Sequence, residues 1–374
     1  MQTEMDCGSM NEKLLASWLE QNSDNGSEVC IGLDGFVDRV LRVIDKRISP
    51  TEATFISSLG EYGERISSAA GLSLNVEIVS VCQKLGGNGP IMANAMSCLG
   101  CGVTCLGAFG LPELAPEFAE FQGRAKLISL SPPARTDAYE FDDGKLIVSS
   151  LEPLNSLSWE TISDTVGVDE LVSVFDAAEL IAINNWTMIP HMTDIWLHLQ
   201  TEVFPLLSRK KRVVFLDLAD PSKRTDEDIE AALQTMSAFS AFGDVTLSCN
   251  RHESSVVSGV LGLNADSCST LETASALQDR LGIDTVSIHT LYGSFACQRG
   301  TAVSAPGFYV ETPLISVGGG DHFNAGLAYG LLNGLALADA LLLASAVSGY
   351  YVRTGISPGR KMLAAFLRNS TATA

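Results

Sequence analysis

Gly318, Gly319, Gly320, Asp321, His322 and Phe323 form the string with the most chemical content in this sequence. Three glycines let a backbone come close to a ligand. After them, Phe323, Leu327 and Leu331 recur at helical spacing, Gly326 and Gly330 are small, and Asn333-Gly334 supplies a stop. The glycines therefore fall on the N-terminal turn of a helix, whose free N–H groups and partial positive charge suit an anion. Asp321 stands in the same turn. A carboxylate there can take a proton from a hydroxyl group while the amides stabilise charge on a transferring phosphoryl group. A plainer reading exists, because the helix dipole alone favours Asp in a first turn.

Three further strings could supply partners. Gly86, Gly87, Asn88, Gly89 and Pro90 follow a strand-like run and precede a helix ending near Leu99-Gly100. Pro90 suits its first position, and Gly100 the residue after its end. Asn88 offers both donor and acceptor groups, as recognition of a polyol requires, or it is simply the helix cap. Asp34 and Asp38 lie just past the first strand-like run, where open α/β sheets place ligand loops. They can accept hydrogen bonds from sugar hydroxyls, or form a solvated turn and helix cap. Asn250 and Glu253, three apart after another strand, can face phosphates and the water shell of Mg²⁺. They can equally form a capping box.

The elements that must position these residues alternate. Val29–Leu33, Val76–Val81, Val103–Phe109, Ala125–Leu130, Leu180–Asn184, Val213–Leu218, Val245–Cys249 and Thr285–His289 read as strands, with helix-length segments between many of them. That rhythm argues for a mostly parallel sheet covered by helices. Ala138–Phe141 and Lys145–Ser149 flank Asp142, Asp143 and Gly144 and read as an inserted hairpin. Residues 36–60 can add to it, although their strand signal is poor.

Composition narrows the function classes. The chain has 374 residues, 46% of them apolar, enough for a large core. Its net charge of −20 leaves little basic surface for nucleic acid. The apolar stretch 326–352 is interrupted by Asn333, Asp339 and several glycines, which fits two buried helices rather than a membrane span. The nine cysteines, Cys98 and Cys101 among them, read as reduced thiols of a cytoplasmic protein. Residues 87–92 read G-N-G-P-I-M, which is no dinucleotide fingerprint. The sequence has no Walker-type loop and no G-x-S-x-G elbow.

Taken in order, these strings resemble the PfkB/ribokinase carbohydrate kinase family, over most of the chain from Val29 to Leu367. The family's G-G-x-G is matched by Gly86-Gly87-Asn88-Gly89. Its N-x-x-E is matched by Asn250-Arg251-His252-Glu253, and its G-A-G-D-x-F by Gly318 to Phe323. Ala305-Pro306-Gly307-Phe308 aligns with the segment before the catalytic loop. The resemblance implies a Rossmann-like three-layer α/β/α fold over residues 1–374, with a small β lid from parts of 36–60 and 132–152. It implies an ATP- and Mg²⁺-dependent kinase acting on a hydroxymethyl group of a small sugar-like molecule. Asp321 would be the general base and Gly318, Gly319 and Gly320 the anion hole. Asp34, Asp38, Gly87 and Asn88 would touch the acceptor. Asn250 and Glu253 would organise Mg-ATP, Glu253 through water. His289 to Ser294, including Gly293, would form the nucleotide loop, with Ser345 in the adenine pocket. Lids in such kinases can pair, so a homodimer is expected.

The sequence also departs from the family pattern. Ile315 and Ser316 stand where the family carries Asp-Thr, Ile91 stands for an Asn, and His289 to Ser294 match T-L-G-x-x-G poorly. These departures leave a second reading open, a catalytically silent nucleotide- or sugar-binding regulatory protein on the same fold. The acceptor's identity is not carried by the motifs.

Overall fold

The computed structural model describes residues 10–22, 26–208, 212–264, 267–370 and 372. A nine-stranded sheet forms its centre, in the order β14-β13-β12-β11-β10-β9-β1-β5-β6. These strands are β1 (Glu28–Gly32), β5 (Gly102–Ala108), β6 (Lys126–Ser131), β9 (Leu180–Asn184), β10 (Val213–Asp217), β11 (Asp244–Asn250), β12 (Thr285–His289), β13 (Gly293–Gln298) and β14 (Thr301–Pro306). From β6 to β12 neighbouring strands run parallel, while β13 and β14 are antiparallel additions at one edge.

Helices cover both faces of this sheet, so central strands read as continuous apolar runs; every residue of β9 is buried. One face packs around Trp186, Trp196 and Phe239, and the other around Met92, Phe323 and Leu341. The apolar stretch near residue 326 resolves into the helices Gly319–Leu332 and Leu337–Thr354. They approach closely: a Cβ on Gly326 would lie 2.6 Å from the Ala344 Cα, and one on Gly330 2.7 Å from the Ala340 Cβ. Among the described residues no helix is long and apolar enough to cross a membrane. Among them Cys30, Cys82, Cys98, Cys105, Cys249, Cys268 and Cys297 are free thiols.

A second, smaller sheet has β2 (Phe36–Ser49) at its centre, flanked by β3 (Glu52–Phe55), β4 (Ile78–Gly86), β7 (Ala134–Phe141) and β8 (Gly144–Ser150). The expected hairpin is β7 and β8. Residues 36–60 join this sheet through a 14-residue strand, although their strand pattern is weak. One expectation needs correction: the run at Val76–Val81 does not join the central sheet, because β4 pairs antiparallel with β2. Both outcomes have one physical reason. This sheet has only a small core of Val43, Ile56 and Phe141, so its strands alternate poorly and carry many charges.

Candidate active site

The glycine string folds as its spacing predicts. Gly318 is the N-cap of the helix Gly319–Leu332, with φ of 91°, and Asn333 ends the helix. The Gly319 N–H turns back to the Ser316 carbonyl at 3.2 Å. The N–H groups of Gly318, Gly320 and Asp321 have no acceptor among the described residues. Asp321 is only 7% exposed and its Oδ1 has no hydrogen-bond partner. Burial, and then the charges of Asp217 and Asp34, push its carboxyl well above the usual range, against a hydrogen bond with the Asn88 side chain.

This turn stands between two cavities. One, of about 570 Å³, is lined by Gly318 and Asp321 together with Asp38, Gly87, Asn88 and Ile91. The other, of about 520 Å³, is lined by Gly319, Gly320 and Phe323 from the opposite side of the turn. Asn250, His289 and Ser345 also line the second cavity. Ile315 faces the first cavity and Ser316 the second, so neither wall gains the carboxylate that the family pattern would put there.

The first glycine motif makes room for two aspartates. Asp34 follows β1 and is fully buried. Its Oδ2 accepts from the Asn88 N–H at 2.8 Å and from Asn185 Nδ2 at 2.7 Å, and its Oδ1 accepts from the Gly89 N–H at 2.8 Å. Asp34 therefore caps the helix Asn88–Leu99, whose own N-cap, Gly87, has no side chain. A Cβ on Gly87 would lie 2.9 Å from Asp34 Oδ2, and one on Gly89 2.8 Å from Oδ1. A Cβ on Gly86 would lie 2.2 Å from the Asp38 Cγ. Pro90, expected to open the helix, stands third in it behind Asn88 and Gly89. Burial raises Asp34 to about 6, against hydrogen bonds from Asn185, Gly89 and Asn88.

In this geometry Asp34 stands behind the cavity wall, its oxygens accepting from the Asn88 and Gly89 N–H groups and from Asn185. Asp38 does face the cavity, from strand β2 rather than from a turn. It stands opposite Lys84 of β4 and Thr136 of β7. Burial raises Asp38, opposed by the Lys84 charge and a hydrogen bond with Thr136, and burial lowers Lys84. Glu140 and Lys145, paired at 2.8 Å, line the same wall.

Lys84 and Asn185 carry no motif signal and were not legible in the sequence. Asn185 follows β9 with φ of 61°, a left-handed conformation that Asn adopts more readily than other residues with a side chain, and its buried Oδ1 has no partner.

In the second cavity the capping box is fully formed. The Asn250 N–H donates to Glu253 Oε2 at 2.8 Å, and the Glu253 N–H donates to Asn250 Oδ1 at 3.0 Å. Asn250 reaches the cavity wall but Glu253 stands behind it. Gly293 also lies behind the wall, its N–H donating to Thr290 Oγ1 at 3.1 Å to close the β12–β13 turn. His289 packs on the Phe323 ring at 4.8 Å, and burial lowers it to about 4, so it is neutral. Asp217, at the end of β10, accepts from Asn324 Nδ2 and from the Ala219 N–H, each at 2.6 Å. Burial and the Asp217 charge push Glu253 up to about 8, with Asp220 adding to the same field. Among the described residues no three side chains are grouped to ligate a metal directly.

Comparison with known proteins adds identity to this geometry. A family model described as prokaryotic ketohexokinase matches residues 15–370. A curated protein named ketohexokinase, from Haloferax volcanii, is 32% identical over 346 residues, 91% of each chain. Arabidopsis thaliana ribokinase, solved with ribose and ATP, shares 18% identity at a TM-score of 0.64, over 92% of this chain and 99% of that one. Fructokinase from Xylella fastidiosa, solved with bound ATP, shares 13% identity at a TM-score of 0.64, again over 92% and 99%. A nucleoside kinase from Methanocaldococcus jannaschii shares 13% identity at a TM-score of 0.59, over 92% and 98%. The three solved structures establish a common ribokinase-like fold.

Proposed function

This chain belongs to the prokaryotic ketohexokinase family, a family of phosphotransferases with an alcohol acceptor, and from that membership we propose that it moves the γ-phosphoryl group of ATP to a hydroxymethyl group of a ketohexose. One observation carries the reading: Asp321 faces one cavity and Gly320 the other, on opposite sides of a single helical turn. A sugar in the first cavity and a nucleotide in the second meet at that turn, so transfer needs no large rearrangement of the reacting groups.

Asp321 takes the proton of the attacking hydroxyl as the oxygen bonds to phosphorus. Its unpartnered Oδ1 is the acceptor atom free for that task. The N–H groups of Gly318, Gly320 and Asp321 receive the charge on the transferring group. Asp38, Lys84, Asn88 and Asn185 offer donors and acceptors to the sugar hydroxyls. The resemblance's role for Asp34 becomes indirect, as the residue that fixes Asn88 and Asn185.

The acid group of Asp217, Glu253 and Asp220 fits a divalent cation reached through water. Burial raises Asp217 and Glu253, the neighbouring acid charges push Glu253 further up, and no Lys or Arg among the described residues is paired with the group. Mg²⁺ bound there with the nucleotide supplies neutralisation of the phosphate charge. Apolar side chains exposed on β4 and β8, Val81 and Ile147 among them, support the expected homodimer through the small sheet.

The deciding experiment is ATP consumption by the purified chain over ketohexoses, aldohexoses, sugar acids and nucleosides. Ketohexose-dependent ADP release that disappears in Asp321→Asn supports the proposal. Turnover on nucleosides alone, or none on any acceptor, overturns it.

A further inference from the structure

The peptide bond is planar, with its C=O and N–H pointing in opposite directions, so whatever holds a carbonyl also aims the amide across the same bond. Three consecutive carbonyls at the glycine turn are each held by a separate side chain. The Tyr351 hydroxyl donates to the Val317 carbonyl at 3.0 Å. His322 Nδ1 bonds to the Gly318 carbonyl at 2.7 Å. The Ser348 hydroxyl donates to the Gly319 carbonyl at 2.8 Å. The amides across these bonds belong to Gly318, Gly319 and Gly320; those of Gly318 and Gly320 have no acceptor among the described residues, while that of Gly319 closes the turn on the Ser316 carbonyl.

We propose that Tyr351, His322 and Ser348 are positioning residues, a brace in which Tyr351 and Ser348 aim the amides of Gly318 and Gly320 at the transferring phosphoryl group and His322 fixes the Gly318–Gly319 peptide between them. The inference rests on the phosphoryl-transfer reading above and adds to it the residues that hold the anion site in shape. Tyr351 and His322 line neither cavity, and Ser348 lines the second while its hydroxyl is turned to the Gly319 carbonyl.

The brace is rigid for reasons visible in its neighbours. A carbonyl only accepts, so His322 Nδ1 carries the proton and Nε2 is the acceptor. Nε2 then takes the Ser357 hydroxyl proton at 2.8 Å, and Ser357 Oγ in turn accepts from Asn94 Nδ2 at 3.0 Å. Arg124 Nη2 donates to Asn94 Oδ1 at 2.6 Å, so every donor in this chain of bonds has one defined direction. The His322 ring stacks on the Tyr351 ring with centroids 3.6 Å apart and planes 11° from parallel. Burial keeps His322 neutral, lowering it to about 4. Tyr351 and Ser348 are three apart on one face of the helix Leu337–Thr354, which Gly326 and Gly330 allow to lie close. Lys84 Nζ reaches the Tyr351 hydroxyl at 3.5 Å, which ties the brace to the acceptor cavity.

Variants that remove one donor each test this. Tyr351→Phe keeps the ring stack and Ser348→Ala changes little volume, so both report on the turn even where a larger change fails to fold. His322→Leu removes the bond to the Gly318 carbonyl, whereas His322→Asn returns an N–H near the place of Nδ1. The expected result is a fall in kcat of about ten- to a hundredfold in His322→Leu and about tenfold in Tyr351→Phe and Ser348→Ala. KM for the sugar and Kd for ADP stay within about twofold, and His322→Asn recovers most of the lost turnover. A residue needed only for folding would lower Tm and the active fraction without separating kcat from KM. Asp321→Asn is measured beside them. If that variant is inactive while Tyr351→Phe, Ser348→Ala and His322→Leu all keep wild-type kcat, the brace is wrong and the kinase reading stands. A loss in His322→Asn as deep as in His322→Leu also overturns the brace. Full activity in Asp321→Asn sinks the reading itself and the brace with it.

Discussion

The two cavities beside Asp321 solve opposite electrostatic problems. The wall that the small sheet gives to the first cavity is charge-balanced, with Asp38 facing Lys84 across β2 and β4, and Glu140 bonded to Lys145. Behind the wall of the second stand Asp217, Glu253 and Asp220, with no Lys or Arg among the described residues paired to them and only His252, 3.7 Å from Asp220, as a basic neighbour. A balanced wall suits a neutral polyol, which needs donors and acceptors in pairs. An acidic group behind a wall suits a cation that arrives with its nucleotide. On the proposed function, a chain of net charge −20 would hold a polyphosphate through backbone amides and a metal, in the part that basic side chains play elsewhere.

The largest test acts on the boundary between the cavities. Asp321→Asn should lower kcat by about 10³- to 10⁴-fold with Tm close to that of the wild type, as read by ADP release and thermal melting. Its acidic limb is informative too. A base must be ionised, and burial raises Asp321, so kcat/KM should fall with decreasing pH well above the ordinary carboxylate range. A limb below pH about 4 would show that ligand binding rehydrates or neutralises the group.

The balanced wall should break next. Lys84→Met leaves Asp38 buried without its opposite charge, and Asp38→Asn does the converse for Lys84. Each should raise the sugar KM by about ten- to a hundredfold, with the KM for ATP within about twofold of wild type. Equal losses for both substrates would dissolve the distinction between the cavities. Gly86→Ala attacks the same wall from beneath, because the new Cβ would meet the Asp38 carboxyl. It should cost about 1–3 kcal/mol of stability and raise the sugar KM in parallel, as melting and initial rates would show.

How much of this was legible in the sequence differs between the two cavities. The turn at 318–321 announced itself, because the glycines, the helical repeat and the acid coincide in one local string. The capping box of Asn250 and Glu253 was legible, since it is also a local pattern. Asp34 was found, but its capping task was not. What it caps lies 54 residues further along the chain, and no local pattern records that. Lys84 and Asn185 were not found. Lys84 sits on a strand of a sheet with too little core to enforce alternation, and the positive φ of Asn185 leaves no trace in its neighbours' types. Sequence pattern therefore reported where burial is deep and structure local, and failed where a thin sheet meets a site assembled from distant segments.

The smallest expected effect concerns the acidic group behind the second cavity. Glu253 rises from an ordinary 4.5 to about 8 in the folded chain, chiefly through burial and the Asp217 charge. Between those values the folded state holds a proton that the unfolded state has released. Its contribution is therefore fully present below about pH 4.5 and is lost as pH rises through about 8. Asp34, raised to about 6, pulls in the same direction over a lower range. Without ligands, Tm should fall by roughly 2–5 °C between pH 5 and 9. Glu253→Gln should flatten that slope, at the cost of part of the Asn250 capping box. Mg²⁺ with ATP should raise Tm more at pH 9 than at pH 6, because the cation replaces the proton as the partner of the same charge. A pH-independent ligand shift in the wild type, or an unchanged slope in Glu253→Gln, would mean that these acids are neutralised within the protein, and the asymmetry between the two cavities would then be one of shape alone.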